Sequence, residues 1–169
     1  MTFQATSPEP FCERDFRDAM GSFATGICVV TANNGAGKAI GMTVNSFSSV
    51  SLSPPLVLVC LGEESPRSQA LIAATKFNIC MLAEDQLEIS NHFASPGEGL
   101  AKDGMAVPGH NANPVLHEAA AVIECDLEAQ YPGGDHVILV GRVTHLHTNM
   151  HKSPLLYFRG SYRKLDGEV

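Results

Sequence analysis

Several features are missing from this sequence of 169 residues, and each absence argues against a class of function. No apolar run is long enough to cross a bilayer as a helix, so no membrane role is expected. The five cysteines (Cys12, Cys28, Cys60, Cys80, Cys125) are odd in number and contain no Cys-x-x-Cys pair, which argues against a disulfide framework or a zinc knuckle. Cys28, Cys60 and Cys80 lie in apolar runs, where cysteine serves as a small core residue, and a reducing cytoplasm fits. Basic residues are scarce: 11 Lys and Arg face 18 Asp and Glu, a formal charge of -7, with no basic stripe for nucleic acid. An anionic ligand must therefore be met locally, by a few cations or by backbone N–H groups. There is no Gly-x-Gly-x-x-Gly between a strand and a helix and no Walker loop, which disfavours a Rossmann domain. A Gly-x-Ser-x-Gly elbow is also missing, and the many serines have no base at a fixed spacing. Residues 1–10 lack the basic and apolar regions of a signal peptide and read as a loose leader, with residues 11–169 as one domain.

What is present centres on Gly41–Leu61. Its first half, Gly41–Ser53, crowds Thr43, Asn45, Ser46, Ser48, Ser49 and Ser51 between apolar residues. Pro54-Pro55 then breaks the chain, and Leu56–Leu61 is a continuous apolar run, the length of a strand buried on both faces. A polar loop between buried strands leaves N–H groups and hydroxyls to be satisfied, either by the protein itself or by a polar ligand.

Around this stretch the pattern is mostly strands. Phe11–Ala24 predicts a helix whose Phe16, Met20 and Phe23 form a core-facing stripe, with Gly26 as a stop. Ile27–Ala32 and Lys38–Val44 predict a hairpin around Asn33–Gly37. Ser65-Pro66-Arg67-Ser68 opens a short helix through Ala74: serine caps, and proline at the first helical position loses no hydrogen bond. The same group is a candidate phosphate seat, although a cap alone explains it. Lys76–Leu82 predicts a strand. Asp85 and Glu88 have capping-box spacing for a helix to Phe93, and Ser95–Asn113 reads as a long loop. Ala119–Tyr131 alternates, with Ala121, Ile123, Cys125, Leu127 and Ala129 inward and Glu124, Asp126, Glu128 and Gln130 outward. Pro132–Asp135 turns the chain into His136–His147, where Gly141 marks a bulge. Hairpin spacing without regular strand–helix alternation predicts a mainly β fold, a closed or split antiparallel barrel with a few short helices.

Two histidine groups invite chemistry. His145, His147 and His151 could hold a metal on geometric grounds, but no carboxylate accompanies them and solvated histidines are the commoner case, so no metal is expected. His136 follows Gly133-Gly134-Asp135 at the mouth of an apolar strand, where its ring can face a cleft at the barrel rim and Asp135 can favour its protonated form.

Five blocks occur in the order of one family: Phe16–Gly26, Gly41–Leu61, Ser65–Ser68, Gly134-Asp135-His136 and Leu156–Gly160. Together they resemble the short-chain flavin reductases of two-component monooxygenases, over residues 11–165. The resemblance implies an FMN-binding split β-barrel, a homodimer with flavin near the subunit interface, and reduction of FMN or FAD by NADH or NADPH. The reduced flavin then supplies a separate oxygenase component. It places Thr43, Val44, Asn45 and Ser46 along the isoalloxazine and ribityl chain, Cys60 and Leu61 beneath the ring, and Ser65 and Ser68 near the flavin phosphate. His92, Phe93 and Ala94 approach the flavin at a helix end, as does Lys102 in its loop. His136 lies on the nicotinamide side, and Tyr157, Arg159 and Tyr162 close the site. This chain departs at Lys102-Asp103-Gly104, where relatives often place an aromatic after the basic residue. It departs again at Ser161, where many have a basic residue. The alternatives are a flavin carrier or sensor without turnover, and another redox step on the same fold, such as pyridoxine-phosphate oxidation or haem handling.

Overall fold

The computed structural model describes residues 11–97 and 99–166, so the leader expected at 1–10 lies outside the described residues. In chain order the elements are α1 (Glu13–Met20), β1 (Thr25–Gly26), β2 (Cys28–Asn33), β3 (Ala39–Val44), β4 (Ser48–Leu52), β5 (Pro55–Gly62), α2 (Pro66–Ile72) and β6 (Lys76–Met81). Then come α3 (Leu87–Ala94), β7 (Ala106–Pro108), β8 (Pro114–Leu116), β9 (Ala121–Gly133), β10 (His136–Thr148), β11 (Leu156–Phe158) and β12 (Ser161–Arg163). The fold is mainly β with a few short helices, as expected.

Seven antiparallel strands form the main sheet in the order β3-β2-β6-β9-β10-β5-β4. Its hydrogen-bonded ladder does not close, since β3 and β4 are its two edges. The sheet nonetheless curls, because Val44 of β3 shares one apolar cluster with Val57, Val59 and Leu61 of β5, at the other side of the strand order. A second cluster, with Ile27, Val29, Cys80, Leu82, Phe93 and Leu155, lies on the other face. Strand β2 serves both: Cys28, Val30 and Ala32 point into the first cluster and Val29 into the second. Alternate side chains of a strand leave opposite faces, so a strand with a core on each side is apolar throughout.

That geometry corrects one expectation. The run Leu56–Leu61 is not the doubly buried strand. Val57, Val59 and Leu61 are buried, while Leu56, Leu58 and Cys60 on the other face are half-exposed. The polar loop before it is also shorter than expected, because Ser48–Leu52 pairs with β5 as an edge strand. Pro55 is tolerated at the start of β5, where a missing N–H is least costly.

Helix α1 corrects another. It ends at Met20, well short of Ala24, and none of its residues is buried. Phe16 is 52% exposed, Met20 57% and Phe23 77%, so the stripe faces away from this chain's core. The capping role expected for Asp85 also fails: α3 is preceded by Gln86, and Asp85 instead accepts a 2.6 Å hydrogen bond from Lys152 Nζ. Glu124, expected to face water, is buried on β9 and accepts from the backbone N–H groups of His110 and Asn111. It pins the loop that the sequence left without structure, where β7 and β8 pair.

Gly141 stands where the sequence places it. The register of β9 against β10 shifts between Val140 and Gly141, and a Cβ on Gly141 would meet Phe77 Cζ at 2.7 Å and Cys125 Cβ at 2.8 Å. The bulge lets the long β9–β10 hairpin bend over Phe77.

Candidate active site

Asn45 sits where β3 ends and the chain turns to β4. It is exposed, and it lines two adjoining clefts. The larger, of about 700 Å³, is lined by Phe16, Met20 and Phe23 from α1 and the turn after it, and by Thr25, Tyr157 and Arg159. The smaller, of about 230 Å³, is bounded by Thr43, Val44, Tyr157 and Tyr162. Asn45 and Tyr157 belong to both.

The three-stranded sheet β1-β11-β12 holds Thr25 and Tyr157 in place. Thr25 pairs with Tyr157 across β1 and β11, and Tyr157 with Tyr162 across β11 and β12. The Tyr157 and Tyr162 rings meet edge to face at 5.4 Å between centroids. The Tyr162 hydroxyl lies 2.9 Å from Ser90 Oγ of α3, and Thr43 Oγ1 donates to Ser90 O at 2.7 Å. Strand β3, helix α3 and the C-terminal hairpin thus meet at Ser90. Arg159 occupies the tight turn between β11 and β12 with a left-handed φ of 49°, beside Gly160 at 75°. Two successive left-handed residues suit a two-residue hairpin turn. Its guanidinium lies 5.1 Å over the Phe158 ring, and its backbone N–H donates to Gly21 O after α1.

The structure brings other expected residues together at the C-terminal end of β5. Ser46 Oγ donates to Cys60 O at 2.8 Å and accepts from Cys60 N at 3.0 Å, which stitches the turn to β5. His136 pairs with Gly62, and its Nδ1 donates to Asp135 Oδ1 at 2.7 Å. That bond, reinforced by the nearby imidazole charge, holds the Asp135 carboxyl below its ordinary range. Gly134 turns the hairpin with a φ of 77°. Ser65 and Ser68 satisfy one another in a reciprocal cap, with 2.9 Å between hydroxyls.

Not every expected side chain reaches open space. Leu61 and Phe93 are fully buried in the two apolar clusters, so a ligand could meet only their main chain. His92 is half-buried with Nε2 2.8 Å from Leu100 O, Ala94 ends α3 in the open, and Lys102 is exposed in the following loop. His145 stacks on His110 with centroids 4.3 Å apart, and among the described residues no three metal-ligating side chains gather to hold an ion.

Thr25 escapes a reading by motif. Thr25 is one of the residues lining the larger cleft, and its Oγ1 is buried without a hydrogen-bond partner among the described residues. A buried polar atom left unpaired costs free energy, so the hydroxyl is a candidate ligand contact. In sequence it is one more residue between a helix and a strand. Its only signal is membership of the block Phe16–Gly26.

The flavin reductase like domain family matches residues 20–166. A "Probable flavin reductase" of Rhizobium meliloti (strain 1021) is 45% identical over 154 residues, 91% of this chain but 49% of that protein. The chain therefore spans about half the length of that relative. The reductase component of 4-hydroxyphenylacetate 3-monooxygenase from Thermus thermophilus is 40% identical over 151 residues, covering 89% of this chain and 95% of that one. Among solved structures, the NADH:FAD oxidoreductase SgcE6 of Streptomyces globisporus C-1027, in complex with NAD and FAD fragments, superposes with a TM-score of 0.88. It is 33% identical, covering 98% of this chain and 99% of that one.

Proposed function

The chain belongs to the flavin reductase like domain family, and from that premise we propose that it is an NAD(P)H-dependent flavin reductase. It reduces FMN or FAD and supplies the product to a separate monooxygenase component. The observation that carries this reading is the cleft at Asn45. Sequence blocks as distant as Phe16, Asn45 and Tyr157 converge there on a space within the size range of small-ligand sites.

The residues present fit a flavin. Phe16, Met20, Phe23 and Tyr157 offer apolar and aromatic surface for a tricyclic ring, Asn45 offers a polar contact at its edge, and the buried Thr25 hydroxyl beside the cleft has no partner among the described residues. When bound, the flavin accepts a hydride from the nicotinamide and carries the electron pair onward. The protein's share is binding and orientation. Thr43, Val44, Asn45 and Ser46 would hold the ring and ribityl chain. Cys60 and the Leu61 main chain would support the ring from the end of β5, and Ser65 and Ser68 would hold the phosphate. Tyr157, Arg159 and Tyr162 close the site, with His92, Phe93, Ala94 and Lys102 along its border. His136, held by Asp135, would position the nicotinamide and could supply the proton that a flavin takes up on reduction, since a nicotinamide that has lost hydride accepts none. Fixing both rings in one geometry removes the entropy of a bimolecular encounter.

The curled seven-stranded sheet with unjoined edges supports the split-barrel architecture, as one domain over 11–169. The exposed stripe of α1 supports a homodimer, with the partner covering Phe16, Met20 and Phe23 beside the flavin. The free thiols fit a cytoplasmic location, and no described helix is long and apolar enough to cross a membrane.

Anaerobic stopped-flow mixing of the FMN-loaded protein with NADH tests the reading. Bleaching of the oxidised flavin band is expected within the first turnovers. A spectrum that stays yellow with NADH and with NADPH would leave a carrier or sensor instead. In the same assay His136→Ala is expected to raise the nicotinamide KM or slow bleaching about tenfold or more while FMN binding persists. Wild-type kinetics in that variant would remove the role given to His136.

A further inference from the structure

We propose that Arg67 is a positioning residue of this site, holding the chain after α3 against β3 and, through it, the His92 ring. The inference rests on the flavin reading above.

Arg67 lies in the first turn of α2 and is only 8% exposed. Arginine is seldom this buried, and a buried guanidinium is costly unless its donors are used. Its one hydrogen bond among the described residues runs from Nη1 to the backbone carbonyl of Ser95, at 3.1 Å. Its Nε is buried and has no hydrogen-bond partner among the described residues. A charged donor is thus committed to the main chain of a segment outside helix and strand.

That segment lies along the edge strand β3. Gly41 N donates to Gly99 O at 2.8 Å, Ala101 N donates to Ala39 O at 3.0 Å, and Leu100 bridges Ile40. Gly99 has a φ of +64°, and a Cβ on it would overlap Arg67 Cδ and stand 2.5 Å from Gly41 O. Only glycine lets the backbone pass between the arginine stem and the strand. Arg67, Gly99 and β3 therefore form one clamp. The next residue, Leu100, presents its carbonyl to His92 Nε2 at 2.8 Å. The imidazole assigned to the flavin border is fixed by a carbonyl that the clamp holds. Arg67 itself is absent from the residues lining the clefts at Asn45.

The competing role is a direct contact with the flavin phosphate, since Ser65 and Ser68 flank Arg67 in sequence. The two roles separate on a ligand without phosphate. Dissociation constants of riboflavin and FMN are measured by quenching of flavin fluorescence, with the full chain as wild type, R67M, R67K, G99A and R67M/G99A. R67M and G99A are expected to weaken both ligands by about tenfold, the scale of one buried hydrogen bond to a charged donor. The double variant is expected to be no worse than its poorer parent, because both substitutions release one clamp. R67K recovers most of the affinity, since an ammonium can still donate to the Ser95 carbonyl. Loss confined to FMN would make Arg67 a phosphate ligand and overturn the proposal. Additive losses, or unchanged constants in R67M and G99A, would overturn it equally. If R67M does not fold, G99A must show the loss for both ligands by itself. A wild type that binds neither flavin overturns the flavin reading, a result distinct from all of these.

Discussion

At the scale of single residues, burial sorts the thiols. The Cys28 thiol is pushed up to about 12 by burial and secondarily by Cys80, Cys80 to about 11 by burial, and Cys125 to about 12 by burial and the nearby Asp126 and Glu124. Cys60 is raised by partial burial, while Cys12 is exposed. The thiolate is the reactive form, and it must also be reached. Dithionitrobenzoate at pH 8 is therefore expected to modify Cys12 rapidly and Cys60 slowly in the native protein, and all five thiols only in guanidinium. A third thiol reacting without denaturant would contradict the buried positions. The Asp135–His136 pair has a pH sign of its own. A carboxyl held low by its partner contributes stability above its unfolded pKa, and that contribution fades as pH falls through the lowered value. The hydrogen bond that orients His136 is thus kept down through the ordinary carboxylate range, about pH 4, and lost below it.

At the scale of elements, side-chain pattern located the strands but did not always tell which of their faces are covered. The β9–β10 hairpin and its bulge were legible because Gly141 falls in mid-strand, where a glycine has no side chain to pack. Gly141→Ala is expected to cost about 1–3 kcal/mol, since the added methyl meets Phe77 and Cys125 in a packed interior. The urea midpoint should fall with an unchanged m value, and a midpoint equal to wild type would mean the bulge can relax. Glu124 was misplaced by the same alternation that located its strand. An inward carboxylate looks like an outward one until the loop bearing His110 and Asn111 delivers two N–H groups to it. Similarly, Leu56–Leu61 and Ile27–Ala32 are both apolar runs, and nothing local tells which of them has a core on each side. The long loop at 95–113 held Arg67's partner carbonyl and the Gly99 crossing, contacts between segments about thirty residues apart that no spacing rule anticipates.

At the scale of the whole molecule, the displaced expectation is α1. Its stripe has helical spacing and would ordinarily be core, yet the chain's two apolar clusters close without it. A stripe left outside, next to the cleft, is explained by the homodimer proposed above. Light scattering after size exclusion is expected to give twice the 18.0 kDa chain mass. M20E/F23E is expected to shift the protein toward monomer and to weaken FMN binding by about tenfold or more, because buried apolar anchors carry most interface energy. A monomeric wild type with full flavin affinity would leave the stripe without this explanation.

Composition and motif order alone determined the broad class: mainly β, free of nucleotide and hydrolase signatures, with five blocks in the order of one family. Those signals are local, written in side-chain type and spacing, and survive without coordinates. Tertiary structure decided which apolar run is walled on both sides, that α1 faces outward, that Thr25 buries a hydroxyl beside the cleft with no partner among the described residues, and that Arg67 grips the chain beyond α3. Each of these depends on which distant segment fills the space beside a residue, and only the closed packing of the chain sets that.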